Sequence, residues 1–237
     1  MSRAASSTPR SLPELMEEAS KALQNTAYFD AETLCLKAMA RAKAAGDFDA
    51  MSRIAMPLQE ARRQRRHEAI DAGRVTVLRD LSLRDGATLA GCYLLEPPLV
   101  GVEARGVRDL LTRRKVPALV LCREPVTAKG LWPVVGVGTG QFHPVVARVQ
   151  VQPPPEGSPS PAWMLAAQEA LGDAAMAKVN HEWPADHRVD DVWEYLEAVP
   201  DHEKLIQMFA ETCRQAAAMP ERSPPRRRAP FDDPFSF

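Results

Sequence analysis

No run of apolar residues in the chain approaches the roughly 18 that a membrane-crossing helix needs, so a helical membrane span is not expected. Cysteines at ligand spacing are missing as well. Cys35, Cys92, Cys122 and Cys213 stand far apart, with no C-x-x-C pair and no histidine nearby at zinc spacing. Isolated cysteines in apolar stretches read as small buried hydrophobes with reduced thiols, which fits a reducing compartment. A basic excess is also lacking: 30 Lys and Arg face 31 Asp and Glu, a formal net charge of −1. Proteins that grip phosphate backbones gain affinity by counterion release and carry surplus cations, so nucleic acid is not an expected partner. Residues 1–11 hold two arginines but no apolar stretch of a secretory signal. Cytoplasm is the expected location, with no membrane contact.

The motifs that carry chemistry are incomplete. Gly136-Val137-Gly138-Thr139-Gly140 looks like a nucleotide loop, but such a loop must open a helix so that phosphate meets helix N–H groups. The segment that follows, 142–151, alternates as a strand, and no Gly-Lys-Ser/Thr is present. A glycine hairpin is the better reading. His181-Glu182 lacks the second histidine of a zincin helix, because Ala185 stands there and Pro184 interrupts the turn. His187 with Asp186, Asp190 and Asp191 reads as a solvated loop or helix cap, and no serine sits in a G-x-S-x-G elbow. No metal, cofactor or catalytic residue is therefore assigned. Glu96 and Glu124 stand apart: each ends a strand just before proline, in LLEPP and LCREP. Strand C-termini of a parallel sheet are where ligands bind, which makes these two carboxylates the basis of an alternative reading as a small enzyme or ligand-binding domain. The other reading is a polar residue turning the chain into solvent.

What the chain does have is ordinary globular composition, 45% hydrophobic and 26% charged, and much proline, 21 of 237 residues. The prolines cluster at 97–98, 153–155 and 224–225, where they mark connections. Residues 1–11 are small and polar and read as disordered. Ser11 is a helix N-cap with Glu14 in the first turn, and Leu12, Leu15, Met16, Ala19, Ala22 and Leu23 line one face. A second helix carries Tyr28, Ala31, Leu34, Cys35, Ala38 and Ala42 and ends at Gly46. A third, capped by Asp47 or Asp49, runs to Gly73 with an expected kink or break at Pro57. The period then changes. Short Val- and Leu-rich runs at 75–78, 92–95, 118–122, 134–137 and 145–151 read as strands. A helix at 102–115 lies between the second and third, which makes a βαβ unit with a parallel pair; a tight turn at 138–141 joins the last two. Residues 153–161 read as a Pro/Ser linker. Helices return with Trp163 to Met176, Val192 to Leu196, and Leu205 to Cys213, the last with Asp201 as expected N-cap. The tail 219–237 reads as disordered.

The first two helices resemble a tetratricopeptide repeat, a helical hairpin of 34 residues. Leu15 falls at the large apolar site of its first helix and Ala19 at its small one. Tyr28 opens the second helix as the aromatic, and Ala31 and Ala38 take its two small sites. The departures are Ala22 and Cys35 in place of aromatics and Lys43 in place of the closing proline. The resemblance spans about residues 12–72 and implies protein–protein binding. An ordinary αα-hairpin packed on the sheet is the other reading of the same small-residue seam.

The expected class is therefore α+β: a repeat-like helical segment at 12–73, a small mixed sheet with one βαβ crossover at 74–152, and C-terminal helices at 162–218. The expected function is a non-enzymatic protein-binding or scaffolding protein whose partner is another protein. Its candidate contact residues are the basic run Arg62, Arg63, Arg65 and Arg66, which otherwise reads as a solvated face, and the tail aromatics Phe231, Phe235 and Phe237, spaced like a short docking motif.

Overall fold

The computed structural model describes residues 10–84, 88–139 and 144–224. Three helices come first: α1 (Leu12–Gln24), α2 (Tyr28–Ala45) and α3 (Phe48–Asp71). The Ser11 cap of α1 is reciprocal, for Glu14 N–H donates to the Ser11 hydroxyl while the Glu14 carboxylate accepts Ser11 N–H. Gly46 ends α2 in the left-handed conformation, φ +61°, and Asp47 caps α3 by accepting from Ala50 N–H at 2.9 Å. The expected break at Pro57 does not occur. α3 continues through it, held on its buried side by α2 and α7.

The sheet follows, with β1 (Val75–Leu78), β2 (Gly91–Leu95), β3 (Ala118–Arg123), β4 (Trp132–Val137) and β5 (Val146–Val151), and with α4 (Gly101–Arg113) between β2 and β3. Spatial order equals chain order, β1 to β5. The first three strands are parallel, and β4 and β5 are antiparallel to their neighbours. The class is α+β with a mixed sheet, as expected. The chain then adds α5 (Pro161–Met176), α6 (Ala185–Ala198) and α7 (Glu203–Ala217).

Side chains alternate across the sheet as a pleat requires. Tyr93, Leu95, Ala118, Cys122, Val135 and Val137 face α4, whose Ala104, Val107 and Leu111 cover them. Cys92, Leu94, Leu119, Leu121, Val134 and Ala147 face the opposite way, into the core built with the remaining helices. That core is continuous from Leu15 of α1 to Ala216 of α7, so the segments expected at 12–73, 74–152 and 162–218 share one interior. The two ends of the expected linker are held together. Trp163 Nε1 donates to Gln152 O at 3.0 Å, and its ring meets Trp132 edge-on at 5.6 Å.

Two local features set the geometry of the C-terminal half. β3 and β4 pair only through Cys122–Val135 and Arg123–Val134, and a cavity of about 30 Å³ lies by the two strands, between α4 and the α6–α7 connection. The expected Asp201 cap of α7 is wrong by one residue. The cap is His202, whose Nδ1 accepts Leu205 N–H at 3.2 Å. No helix among the described residues is long and apolar enough to cross a membrane.

Candidate functional site

β1, β2 and β3 end side by side, and the residue after each of the first two and the last of the third are charged: Arg79, Glu96 and Arg123. Glu96 is 5% exposed. Arg79 reaches its Oε2 with Nε at 3.1 Å and Nη2 at 3.0 Å; Arg123 reaches Oε1 at 3.0 and 2.9 Å. Arg123 also lies over the Trp132 ring at 4.4 Å. The other strand-end carboxylate, Glu124, takes Arg148 Nη2 at 2.7 Å. Both candidate carboxylates are therefore occupied by arginines of this chain, and neither lines the cavity beside β3 and β4. The topology explains why. A crevice opens at strand C-termini where strand order reverses and crossovers part to opposite faces; here the order is sequential throughout.

Three of the four arginines of the basic run on α3 are neither solvated nor free. Arg62, Arg65 and Arg66 are 6–8% exposed. Arg62 donates to Glu32 Oε1 at 2.8 Å and Pro200 O at 3.0 Å. Arg65 pairs with the other Glu32 oxygen, reaches Thr112 Oγ1 at 3.2 Å and lies 4.1 Å from the Phe29 ring centre. Arg66 donates to Asp201 O at 2.8 Å and pairs with Glu169 at 3.1 Å and with Glu203. Burial lowers the pKa of Arg62 and of Arg65, and the nearby Asp201 carboxylate opposes the shift in each; guanidinium stays charged regardless. Only Arg63 points outward, 40% exposed and paired with Glu60 on its own helix. From α4, Arg108 donates to Glu197 O at 2.8 Å and Ala198 O at 3.3 Å, the last carbonyls of α6. The α6–α7 connection is thus held by arginines from helices on both faces of the sheet.

Gly136 and Gly138 of the motif serve the same corner, while Gly140 lies outside the described residues. A Cβ on Gly136 would lie 2.7 Å from Ala198 O, and one on Gly138 2.9 Å from Ala198 N. They admit the end of α6 against β4. Gly172 of α5 plays this part for His202, whose ring would meet a Cβ there at 2.1 Å. His202 is fully buried. Since Nδ1 accepts an N–H, the ring proton sits on Nε2, which faces Glu169 at 3.3 Å and Asp173 at 3.4 Å. A nitrogen that carries a proton is not a metal ligand, and no group of three metal-ligating side chains exists among the described residues. Burial lowers the His202 pKa, with Glu169 and Asp173 opposing.

No family model, curated protein or solved structure matches the chain. Function rests on the chemistry of these residues alone.

The four cysteines are unpaired and buried, and burial pushes the thiols of Cys35, Cys122 and Cys213 up to about 12 and that of Cys92 to about 11. Thiols held so far into the protonated form are poor nucleophiles. The His187 cluster lies in the first turns of α6, not in a loop, and it holds the chain that follows α7. Asp186 Oδ2 accepts Ser223 N–H at 2.7 Å, His187 Nε2 meets Pro224 O at 3.1 Å, and Arg222 stacks on Phe48 at 4.4 Å. Of the tail expected to be disordered, residues 219–224 are described and make these contacts. Phe231, Phe235 and Phe237 lie outside the described residues, as does His143.

Composition gave no signal for one further feature. Val100, Val102 and Val126 are 50–56% exposed, and all three lie where β2 and β3 end: the first two at the start of α4, the third just past β3. The α4 terminus is closed to anions by its own Glu103, which accepts Val100 N–H at 2.8 Å.

Proposed function

We propose that this chain is a non-enzymatic protein-binding module that engages its partner at the C-terminal ends of β1, β2 and β3. The observation that carries the reading is the division of labour there: the carboxylates are taken up in internal ion pairs while three half-exposed valines follow the same strand ends in the chain. Apolar side chains grouped at one end of a small domain mark an interaction surface more often than a reactive one. The resemblance of α1 and α2 to a tetratricopeptide repeat supports the same class of function. The unpaired buried thiols fit the cytoplasm as its compartment. A catalytic role for Glu96 and Glu124 has less support, because Glu96 is buried with both oxygens paired and Glu124 is paired with Arg148, and neither lines a cavity. The test is quantitative affinity capture with the full chain and with a Val100→Asp, Val102→Asp, Val126→Asp variant. The same protein should be recovered with wild type and lost with the variant at an unchanged melting temperature. Equal recovery with both would remove the surface from consideration.

A further inference from the structure

β1 is an edge of the sheet, hydrogen-bonded to β2 alone. Cys92 N–H donates to Arg74 O at 3.0 Å and Glu96 N–H to Leu78 O at 2.9 Å, so the even-numbered residues of β1 turn their backbone groups toward β2. By the alternation of a strand, the N–H and C=O of Val75 and Val77 point the other way. Neither residue makes a turn or loop backbone bond among the described residues. The Val77 side chain is 39% exposed. This short stretch is an open template for another strand.

Both ends of the template are positive. At the C-terminal end, two guanidinium groups, Arg79 and Arg123, share the single Glu96 carboxylate, which leaves one unit of positive charge over, and the Arg79 side chain is 75% exposed. At the N-terminal end, Arg74 is exposed and donates its Nε to Ala90 O, a neutral acceptor. Asp80 is turned into its own loop, accepting Ser82 N–H at 2.9 Å. A second copy of the chain fits less well: an antiparallel copy in which Val75 pairs with Val77 sets Arg74 opposite Leu78 and Arg79 opposite Gly73, so neither arginine meets a carboxylate.

We infer that β1 accepts an extended segment of a partner protein in which two carboxylates, five positions apart, flank a short apolar run. The partner adds a sixth strand: backbone bonds to Val75 and Val77 supply affinity, and Arg74 and Arg79 select the flanking acids. The five-residue offset matters because it places Arg74 and Arg79 on opposite faces of the strand, and acids at the same offset follow suit. This inference rests on the protein-binding reading and names the partner's chemistry.

The experiment uses the full chain and three labelled peptides: Asp-Val-Thr-Val-Thr-Asp, the same peptide with both Asp replaced by Lys, and the acidic peptide N-methylated at alternate residues. Fluorescence anisotropy should show binding of the first only, weakening with salt. Amide exchange should be fast at Val75 and Val77 in the free protein, slow at Thr76 and Leu78, and slowed at the first pair by the acidic peptide. Val77→Pro removes one outward N–H and leaves the β2 ladder intact; it should weaken binding about tenfold, the worth of one backbone bond. Should that variant fold poorly, Arg74→Glu serves instead, and it should favour the lysine peptide over the acidic one. Val75 and Val77 amides already protected in the free protein, or equal binding of the acidic and lysine peptides, would overturn the inference. If the valine variant loses its captured partner while Val77→Pro keeps it, protein binding stands and strand addition falls. If no peptide binds and both variants capture as wild type does, both readings fall.

Discussion

Replacing Gly172 with alanine puts a methyl group where the His202 ring now lies, 2.1 Å from Cγ and 2.2 Å from Cδ2. The ring cannot swing aside cheaply, because Nδ1 is the N-cap acceptor for Leu205 N–H and the residue is fully buried. Overpacking of this kind costs about 1–3 kcal/mol or more, against which alanine returns roughly 1 kcal/mol of helix propensity over glycine. Gly172→Ala should therefore destabilise, by about 2 kcal/mol once the severity of the overlap is counted. His202→Ala should cost roughly 3 kcal/mol, about 1 from the lost cap and the rest from the vacated space. The double variant is the decisive measurement. With the ring gone, Gly172→Ala has only its propensity gain left and should stabilise the His202→Ala protein by about 1 kcal/mol. The coupling between the two positions is then about 3 kcal/mol, far above the roughly 0.5 kcal/mol expected of independent sites. Urea denaturation followed by tryptophan fluorescence reads it, since Trp193 packs 5.3 Å from Phe209 on α7. Additive effects, or a wild-type background indifferent to Gly172→Ala, would show that the ring does not lie on α5 as described.

The same histidine predicts a pH dependence. Its folded pKa is lowered by burial, against the pull of Glu169 and Asp173, with Lys204 and Arg66 also facing it, so the unfolded state takes up the proton first; stability is fully present above about pH 6.5 and declines as pH falls below it, and His202→Asn should flatten that decline in stability curves measured across the range. Glu96→Gln should cost about 1–3 kcal/mol, because it strips the countercharge from the nearly buried Arg123, with little contribution from the exposed Arg79, whereas Glu124→Gln beside a half-exposed Arg148 should stay within about 0.5 kcal/mol; equal denaturation midpoints for the two variants would refute the distinction. Ala31 is fully buried, and Ala31→Leu should lower stability by about 1–3 kcal/mol through overpacking, an unchanged melt showing instead that α1 and α2 tolerate bulk at their seam.

The elements were legible because their signals are local. Five Val- and Leu-rich runs between glycines and prolines became the five strands within two residues, and α4 lay where one apolar stripe, Val107 and Leu111, interrupted them. The basic run was misread because charge was weighed without period. Met51, Ile54, Ala55, Leu58, Ala61, Arg62, Arg65, Arg66 and Ala69 form a single buried stripe at helical spacing, and Arg63 falls off it. Read by position, the pattern assigns three arginines to the interior and one to solvent. What they pair with was beyond local signals, since Glu32, Glu169, Glu203 and the carbonyls of Pro200 and Asp201 are brought there by distant segments. Residue preference points to Asp201 as the α7 cap, yet a buried histidine does the capping, because Gly172 leaves room for its ring. Gly138 lies in the connection of the expected antiparallel hairpin, its N–H on Val145 O at 2.9 Å, and Gly136 and Gly138 also give α6 a landing site, a role set by tertiary contact rather than by φ.

These placements connect the interior to the proposed surface. Arg62, Arg66 and Arg108 donate to the carbonyls of residues 197, 198, 200 and 201, so the connection between α6 and α7 presents few backbone acceptors to solvent. Buried charges of this kind add little net stability over apolar packing, but removing one partner leaves the other stranded. They therefore fix how α3, α4, α5 and α7 sit on the sheet rather than how tightly the core collapses. β4 is clamped between Gly101 of α4 and Ala198 of α6. The proposed surface falls at the other side: the edge of β1 and the valines past β2 and β3. A strand edge binds best when it is already in its bound shape, because ordering it on association would cost affinity. By fixing the helices on the sheet, the internal arginine pairs would hold the proposed template in that shape.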